Sequence, residues 1–255
     1  MIFAAKTHVG MRRANNEDSF YIPGSAKLPF MVVADGMGGH NSGEVASAEA
    51  IRFVVEYVHG VEPKVIEQTP LRVIHNAIDA ANLYIYRMGG AKEGMQGMGT
   101  TFTAAMFLGD KAYIGHVGDS RAYHITGGRL YCVTEDHSVV QELLSQGAIT
   151  PKQAKVHPHR NMITRALGTQ RKLTVDLFEV NWRAQEVLLI CSDGLTNYLS
   201  DDELENIILS RLRKKNSVQQ ETLDMICEQL IGYALARGGS DNISVAIALN
   251  DGGRD

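Results

Sequence analysis

Residues 101–133 read TFTAAMFLGD KAYIGHVGDS RAYHITGGRL YCV, and this stretch decides the fold. Strand-like runs follow one another at Thr101–Leu108, Lys111–Val117, Arg121–Thr126 and Arg129–Val133. The pairs Gly109-Asp110 and Gly127-Gly128 between them suit tight hairpin turns, whose central residues must tolerate positive φ. Consecutive hairpins mean antiparallel pairing, whereas parallel strands would need a crossover between them. Working outward, similar runs lie at Ile2–Thr7, Ser19–Ile22, Phe30–Ala34, Leu173–Val180, Glu186–Cys191 and Ile243–Leu249.

Helical patterns fall between these strand blocks. Asn41 and Glu44 have capping-box spacing and open a helix whose Val45, Ala48, Ile51, Val55 and Val58 share a face. Thr69-Pro70 supplies an N-cap and a first-turn proline. Leu71, Ile74, Ile78, Ala81 and Ile85 then form a stripe that Gly89-Gly90 should end. Ser200 and Glu203 form a second capping box, opening a helix to about Leu212. A last helix is expected from about Val218 to Arg237, before Gly238-Gly239. Each helix has one apolar face and so should cover a sheet from one side. Two mostly antiparallel sheets with helices outside both give an α+β, four-layer αββα sandwich. The stretch 136–168 breaks the pattern with two short helical pieces, Val139–Gln146 and Pro151–Lys155, and a polar His157-Pro158-His159-Arg160-Asn161 segment. It is expected to form a small flap subdomain over one end of a single 255-residue domain.

Composition narrows the partners. Net charge is −4 with no basic tail or cluster, which argues against nucleic acid. Cys132, Cys191 and Cys227 lack CxxC spacing and read as reduced thiols of a cytoplasmic protein. No apolar stretch is long enough to span a bilayer, and the first ten residues lack a signal-peptide core. Membrane attachment is not expected.

The chemistry lies in carboxylates at strand ends. Asp35, Asp119, Asp193 and Asp241 each adjoin an apolar run; the first three sit in tight turn contexts and the fourth in Gly238-Gly239-Ser240-Asp241-Asn242. A carboxylate there is costly unless something positive pairs with it. Several converging would form an all-oxygen site suited to Mg²⁺ or Mn²⁺, and thus to hydrolysis of phosphate esters. Asp35-Gly36-Met37-Gly38-Gly39-His40 is the sharpest motif: a buried strand ends on Asp35, the Gly36 carbonyl is free to ligate, and His40 stands before a helix as a proton donor. Arg13 can fork onto a phosphate, and Glu17 and Asp18 can accept hydrogen bonds from waters at a metal. A surface ion pair accounts equally well for that loop, and Asp119 and Asp241 each have a plain turn reading. His157 and His159 read as surface residues, since no other His or Cys is spaced to complete a zinc site. No Ser-His-Asp or Cys-His arrangement and no P-loop is present.

Taken in order, these motifs resemble the metal-dependent protein phosphatases of the 2C type. Arg-x-x-Asn-Glu-Asp is Arg13 to Asp18, Asp-Gly-Met-Gly-Gly-His is Asp35 to His40 (the form common in bacterial members), and Gly-Thr-Thr is Gly99 to Thr101. Gly-Asp-Ser-Arg is Gly118 to Arg121, Asp-His-Ser is Asp136 to Ser138, and the flap pattern runs from His157 to Gly168. Ser-Asp-Gly-Leu is Ser192 to Leu195, and Asp-Asn-Ile-Ser is Asp241 to Ser244. The resemblance implies a centre of two Mn²⁺ or Mg²⁺ ions held by Asp35, the Gly36 carbonyl, Asp193 and Asp241. Asp119 is similar to the position that helps bind a third. Arg13 would hold substrate phosphate, His40 would protonate the leaving oxygen, and Glu17, Asp18 and Asn242 would support the centre. The implied reaction is hydrolysis of phosphoserine and phosphothreonine on proteins by a metal-activated water, by a monomer opposing a Ser/Thr kinase. A two-metal nuclease and a phosphoprotein-binding pseudophosphatase are the competing readings.

Overall fold

The computed structural model describes residues 1–24, 28–39, 42–91, 94–213 and 219–252. Chain order is β1 (Ile2–His8), β2 (Asp18–Tyr21), β3 (Phe30–Met37), α1 (Ser42–His59), α2 (Pro63–Gln68), α3 (Pro70–Ala91), β4 (Gly99–Thr100), β5 (Phe102–Leu108), β6 (Lys111–Val117), β7 (Arg121–Thr126) and β8 (Arg129–Cys132). Then come α4 (Val139–Ser145), α5 (Pro151–Lys155), β9 (Asp176–Asn181), β10 (Val187–Cys191), α6 (Asp193–Thr196), α7 (Asp201–Leu212), α8 (Gln220–Ala236) and β11 (Ile243–Leu249).

The strands form two sheets, ordered β1-β11-β10-β7-β8 and β2-β3-β5-β6-β9, with β4 added beside β3. The pairings are antiparallel, as the hairpins required. Leu108 pairs with Lys111 and Thr126 with Arg129, so both expected turns close as hairpins.

Three apolar layers separate four structural layers. Met31, Val33, Ile114, Leu188 and Ile190 meet between the sheets. Val32 and Ala34, one residue out of phase with Val33, face α1 and α3 through Ala50, Val54, Ile74 and Ile78. On the far side Val187, Leu189 and Val245 meet Leu204, Ile208, Ile226 and Leu230 of α7 and α8. Strands buried on both faces must be apolar at successive positions, which is why β10 reads VLLIC rather than alternating.

Local differences from the sequence expectations have physical causes. The buried face of α1 is Ala46, Ser47, Ala50, Ile51, Val54 and Val58, while Ala48 is exposed and Val45 and Val55 are only partly buried. Small residues lie against the sheet, so counting large apolar residues misjudged the helix rotation. Asn41 lies outside the described residues, so its cap is not described. Thr69 donates its hydroxyl back to the Val65 carbonyl at 3.0 Å and closes α2. Helix α3 runs through Gly89-Gly90 to Ala91, and a side chain at Gly89 would meet the Met95 carbonyl at 3.1 Å. Strand β9 starts at Asp176 because Leu173 and Val175 pack against the α1–α3 core as loop residues. The Ser200–Glu203 capping box is formed. Val218 lies outside the described residues, and α8 is described from Gln220.

Residues between β8 and β9 carry α4 and α5 from the edge of one sheet to the edge of the other. They are tied down by bridges between Ser138 and Ile163 and between Thr100 and Leu167.

Candidate metal centre

One end of the sandwich gathers the carboxylates. Antiparallel pairing places the end of β3 beside the start of β2, so Asp35 and Asp18 are register partners. In the other sheet Asp193 follows β10 and Asp241 precedes β11, which are neighbours. Asp119 lies in the turn from β6 to β7, which steps from one sheet to the other.

Two glycines permit this convergence. A Cβ at Gly36 would stand 2.0 Å from the Gly43 carbonyl, and one at Gly194 would stand 1.9 Å from the Asn242 carbonyl. Only glycine lets these backbones approach so closely. The Asp-Gly pairs are thus fixed by packing against α1 and against the start of β11.

Hydrogen bonds join the two halves. Ser192 Oγ donates to Asp18 Oδ2 at 2.7 Å. Asn242 Nδ2 donates to the carbonyls of Val9 and Asn15 at 2.8 and 2.9 Å, and Asn242 Oδ1 accepts from Glu17 N–H at 2.8 Å. Asn242 therefore pins the loop that carries Arg13 and Glu17. The Asp35 N–H donates to Thr101 Oγ1 at 2.9 Å, and its carbonyl accepts from Thr101 N–H at 2.8 Å.

Electrostatically the cluster is short of positive charge. Burial, together with the neighbouring carboxylates, raises Asp18 to about 7, Asp119 to about 8 and Asp193 to about 6. Asp35 is pushed well above the usual carboxylate range, first by burial and then by the charges of Asp18, Asp193, Asp119 and Asp241. Burial also raises Glu17. Arg13 Nη2 pairs with Asp241 Oδ2 at 2.8 Å from an exposed loop. Arg121 is spent on a bidentate bond to Asp136, at 2.7 and 2.6 Å.

The donor set fits divalent cations. Its members are carboxylate and carbonyl oxygens, and Asp18 Oδ1 is buried without a hydrogen-bond partner. Among the described residues no three His, Cys, Asp or Glu side chains are grouped closely enough to hold a metal ion by themselves. Asn197 holds Asp193 Oδ2 at 3.0 Å, and Asp241 is drawn to Arg13. Ions that keep several waters, as Mg²⁺ does, need few protein ligands at once. His40 lies outside the described residues.

A supporting network escaped the sequence reading. The His137 N–H donates to the Gly118 carbonyl at 2.7 Å, and the Gly118 N–H donates back to His137 Nδ1 at 3.0 Å. That leaves the imidazole proton on Nε2, directed at Asp176 Oδ2 3.1 Å away. Arg165 donates to the other Asp176 oxygen at 2.9 Å. Beside this lies His116, held neutral with its pKa lowered to about 4, chiefly by burial. The clasp fixes the turn just before Asp119. Asp136-His137-Ser138 and Arg165 carried a family signal in the sequence but no role, and Asp176 carried no signal.

A cleft of about 770 Å³ is lined by Asp119 and Asp193, by residues of α4 and α5, and by the start of α7. Buried and half-buried carboxylates at one end of an αββα sandwich, beside an open polar cleft, fit the class of metal-dependent phosphoester hydrolases. Comparison with known proteins agrees. A family model for protein phosphatase 2C matches residues 8–226. The chain is 35% identical over 254 residues to the serine/threonine phosphatase stp of Listeria innocua, covering 98% of this chain and 97% of that one. The Mycobacterium tuberculosis serine/threonine phosphatase PstP/Ppp superposes with a TM-score of 0.84 at 35% identity, covering 97% and 98% of the two chains. The PstP catalytic domain in complex with two manganese ions gives 0.80 at 34% identity, covering 96% of each. The chain belongs to the protein phosphatase 2C family, metal-dependent enzymes that dephosphorylate serine and threonine.

Proposed function

We propose that this centre is the active site and that it hydrolyses phosphoserine and phosphothreonine on proteins with two Mn²⁺ or Mg²⁺ ions. Asp35, the Gly36 carbonyl, Asp193 and Asp241 are the core ligands, and Asp119 helps hold a third ion. The observation that carries this is the group of partly buried carboxylates held above their usual range with one arginine at the rim. When bound, the ions supply Lewis acidity that neutralises phosphate charge and lets water ionise near neutral pH.

The protein's own groups do the rest. Arg13 exchanges Asp241 for the planar, bidentate contact that a phosphate offers. Glu17 and Asp18 accept hydrogen bonds from waters at the centre, and Asn242 holds their loop in place. His40 gives a proton to the departing seryl or threonyl oxygen. The chain acts as one catalytic domain, with 136–168 as its flap, a monomer that opposes a Ser/Thr kinase. Three free thiols fit a cytoplasmic setting, and no helix among the described residues is long and apolar enough to cross a membrane.

The test compares a phosphoserine peptide, p-nitrophenyl phosphate and a single-stranded oligonucleotide with Mn²⁺ present. Turnover of the first two and not the third is expected, and cleavage of the oligonucleotide would make the enzyme a nuclease. Arg13→Ala should raise KM and lower kcat on both phosphate esters. His40→Ala should slow the phosphoserine peptide by about 10²–10⁴-fold, the usual value of general-acid catalysis, but p-nitrophenyl phosphate far less because p-nitrophenolate leaves unaided. An equal loss on both would remove His40 from the chemistry.

Asp119→Ala should fold normally, because it takes one repelled carboxylate out of the site. Turnover should drop by about 10–100-fold, and titration calorimetry at saturating Mn²⁺ should count one ion fewer. An unchanged ion count would leave Asp119 as a turn residue only.

A further inference from the structure

The cleft above the centre has walls of opposite charge. Lys155 and Arg160 line it from the flap, and Asp201 and Asp202 line it from the start of α7. All four are exposed. The other arginines near the flap are committed, Arg121 to Asp136 and Arg165 to Asp176, whereas Lys155 and Arg160 make no ion pair among the described residues. On the opposite wall Glu203 is taken by Arg237, and Asp201 accepts a hydrogen bond from the Tyr123 hydroxyl at 3.1 Å. Asp202 is left facing the cleft.

Acids at a helix N-terminus complement its dipole, which explains Asp201 and Asp202 without any ligand. It does not explain two unpaired cations lining the same cleft. Opposite charges that line one cleft without closing on each other leave a gap that a charged ligand can bridge. At about 770 Å³ the gap holds several side chains of an extended segment, and Asp119 and Asp193 are among the residues that line it.

We infer that Lys155 and Arg160 on one side of this cleft and Asp201 and Asp202 on the other set substrate choice, selecting phosphorylated segments whose flanks carry both charges. An acidic side chain lies against Lys155 and Arg160, and a basic one lies against Asp201 and Asp202. This deepens the phosphatase reading and rests on it. Exposed charges of this kind set selectivity more than raw affinity, and salt screens them.

The experiment measures kcat/KM on phosphoserine peptides with one acidic and one basic flank, two acidic flanks, two basic flanks or neutral flanks. p-Nitrophenyl phosphate serves as the flank-free control. The mixed-charge peptide should be the best substrate. Its lead over the neutral one should be roughly threefold to tenfold, the size expected of a few exposed pairs, and should collapse in about 1 M salt. Lys155→Glu with Arg160→Glu should reverse the preference for the acidic flank, and Asp202→Lys should reverse that for the basic one, each with p-nitrophenyl phosphate turnover unchanged. If p-nitrophenyl phosphate is hydrolysed but the wild-type enzyme treats all four peptides alike, the cleft does not read charge and the phosphatase reading stands. If Asp202→Lys lowers only the melting temperature, the acids serve the helix alone and the inference fails. If neither p-nitrophenyl phosphate nor any peptide is hydrolysed, the phosphatase reading fails and this inference falls with it.

Discussion

Asp35→Asn is expected to cut phosphoserine-peptide turnover by about 10³-fold and, in the same protein, to raise the melting temperature of the metal-free form. The first effect follows from the proposed role. A core ligand of a metal pair would contribute several kcal/mol to neutralising transition-state charge, and each 1.36 kcal/mol is a factor of ten. The second follows from the site's electrostatics. Asp35 stands opposite Asp18 and feels Asp193, Asp119 and Asp241, so without cations its charge is opposed on several sides. Asparagine keeps the shape, and the backbone stays anchored to Thr101 through the Asp35 N–H and carbonyl. In a chain of this size each kcal/mol of repulsion relieved corresponds to about 2–4 °C. The two readouts move in opposite directions, which separates a site residue from a structural one. Calorimetric melting in EDTA alongside peptide assays in Mn²⁺ makes the comparison. A fall in both would mean that Asp35 supports the fold instead.

The same division between local and distant information governs what the sequence could disclose. The hairpins of 101–133 were legible because turn residues and strand runs are neighbours, and Leu108 pairs with Lys111 as the turn dictates. The aspartates were legible because each stands at one end of an apolar strand, and neighbouring strands of an antiparallel sheet bring such ends together. The face of α1 was not legible, because Ala46, Ser47 and Ala50 lie against the sheet and small residues carry little hydropathy signal. The His137–Asp176–Arg165 clasp was hidden for another reason. Its members come from just before α4, from the loop after α5 and from the start of β9, with no periodicity to link them. Asn242 shows an intermediate case. The motif placed it beside Asp241, but only the fold reveals that it ties down Val9 and Asn15, and with them the loop that carries Arg13.

Chelation should abolish turnover, and Mn²⁺ should restore it. The stability of the stripped protein should also depend on pH in the sense opposite to that of most carboxylate-rich proteins. Carboxylates in salt bridges usually have lowered pKa values and lose their contribution as pH falls. Here Asp193, Asp18 and Asp119 are raised from an ordinary 3.8 to about 6, about 7 and about 8, mainly by burial. The folded state therefore binds protons more tightly than the unfolded state between those limits. Stability then falls as pH rises, because its slope follows the excess of protons bound by the unfolded chain, which is negative here. In EDTA the melting temperature should be lower at about pH 8 than at about pH 5.5, by roughly 5 °C or more after discounting for partial exposure. Cations that compete for the same oxygens stabilise the fold by mass action, most strongly where the carboxylates are ionised. With excess Mn²⁺ the pH dependence should flatten or reverse, and Asp193→Ala should show a weaker response to both pH and metal. Stability in EDTA that is level or rises across this range would mean that the carboxylates are already neutralised by the protein's own cations. Arg13 is the group placed to do that, so Arg13→Ala would then be the variant that restores the fall.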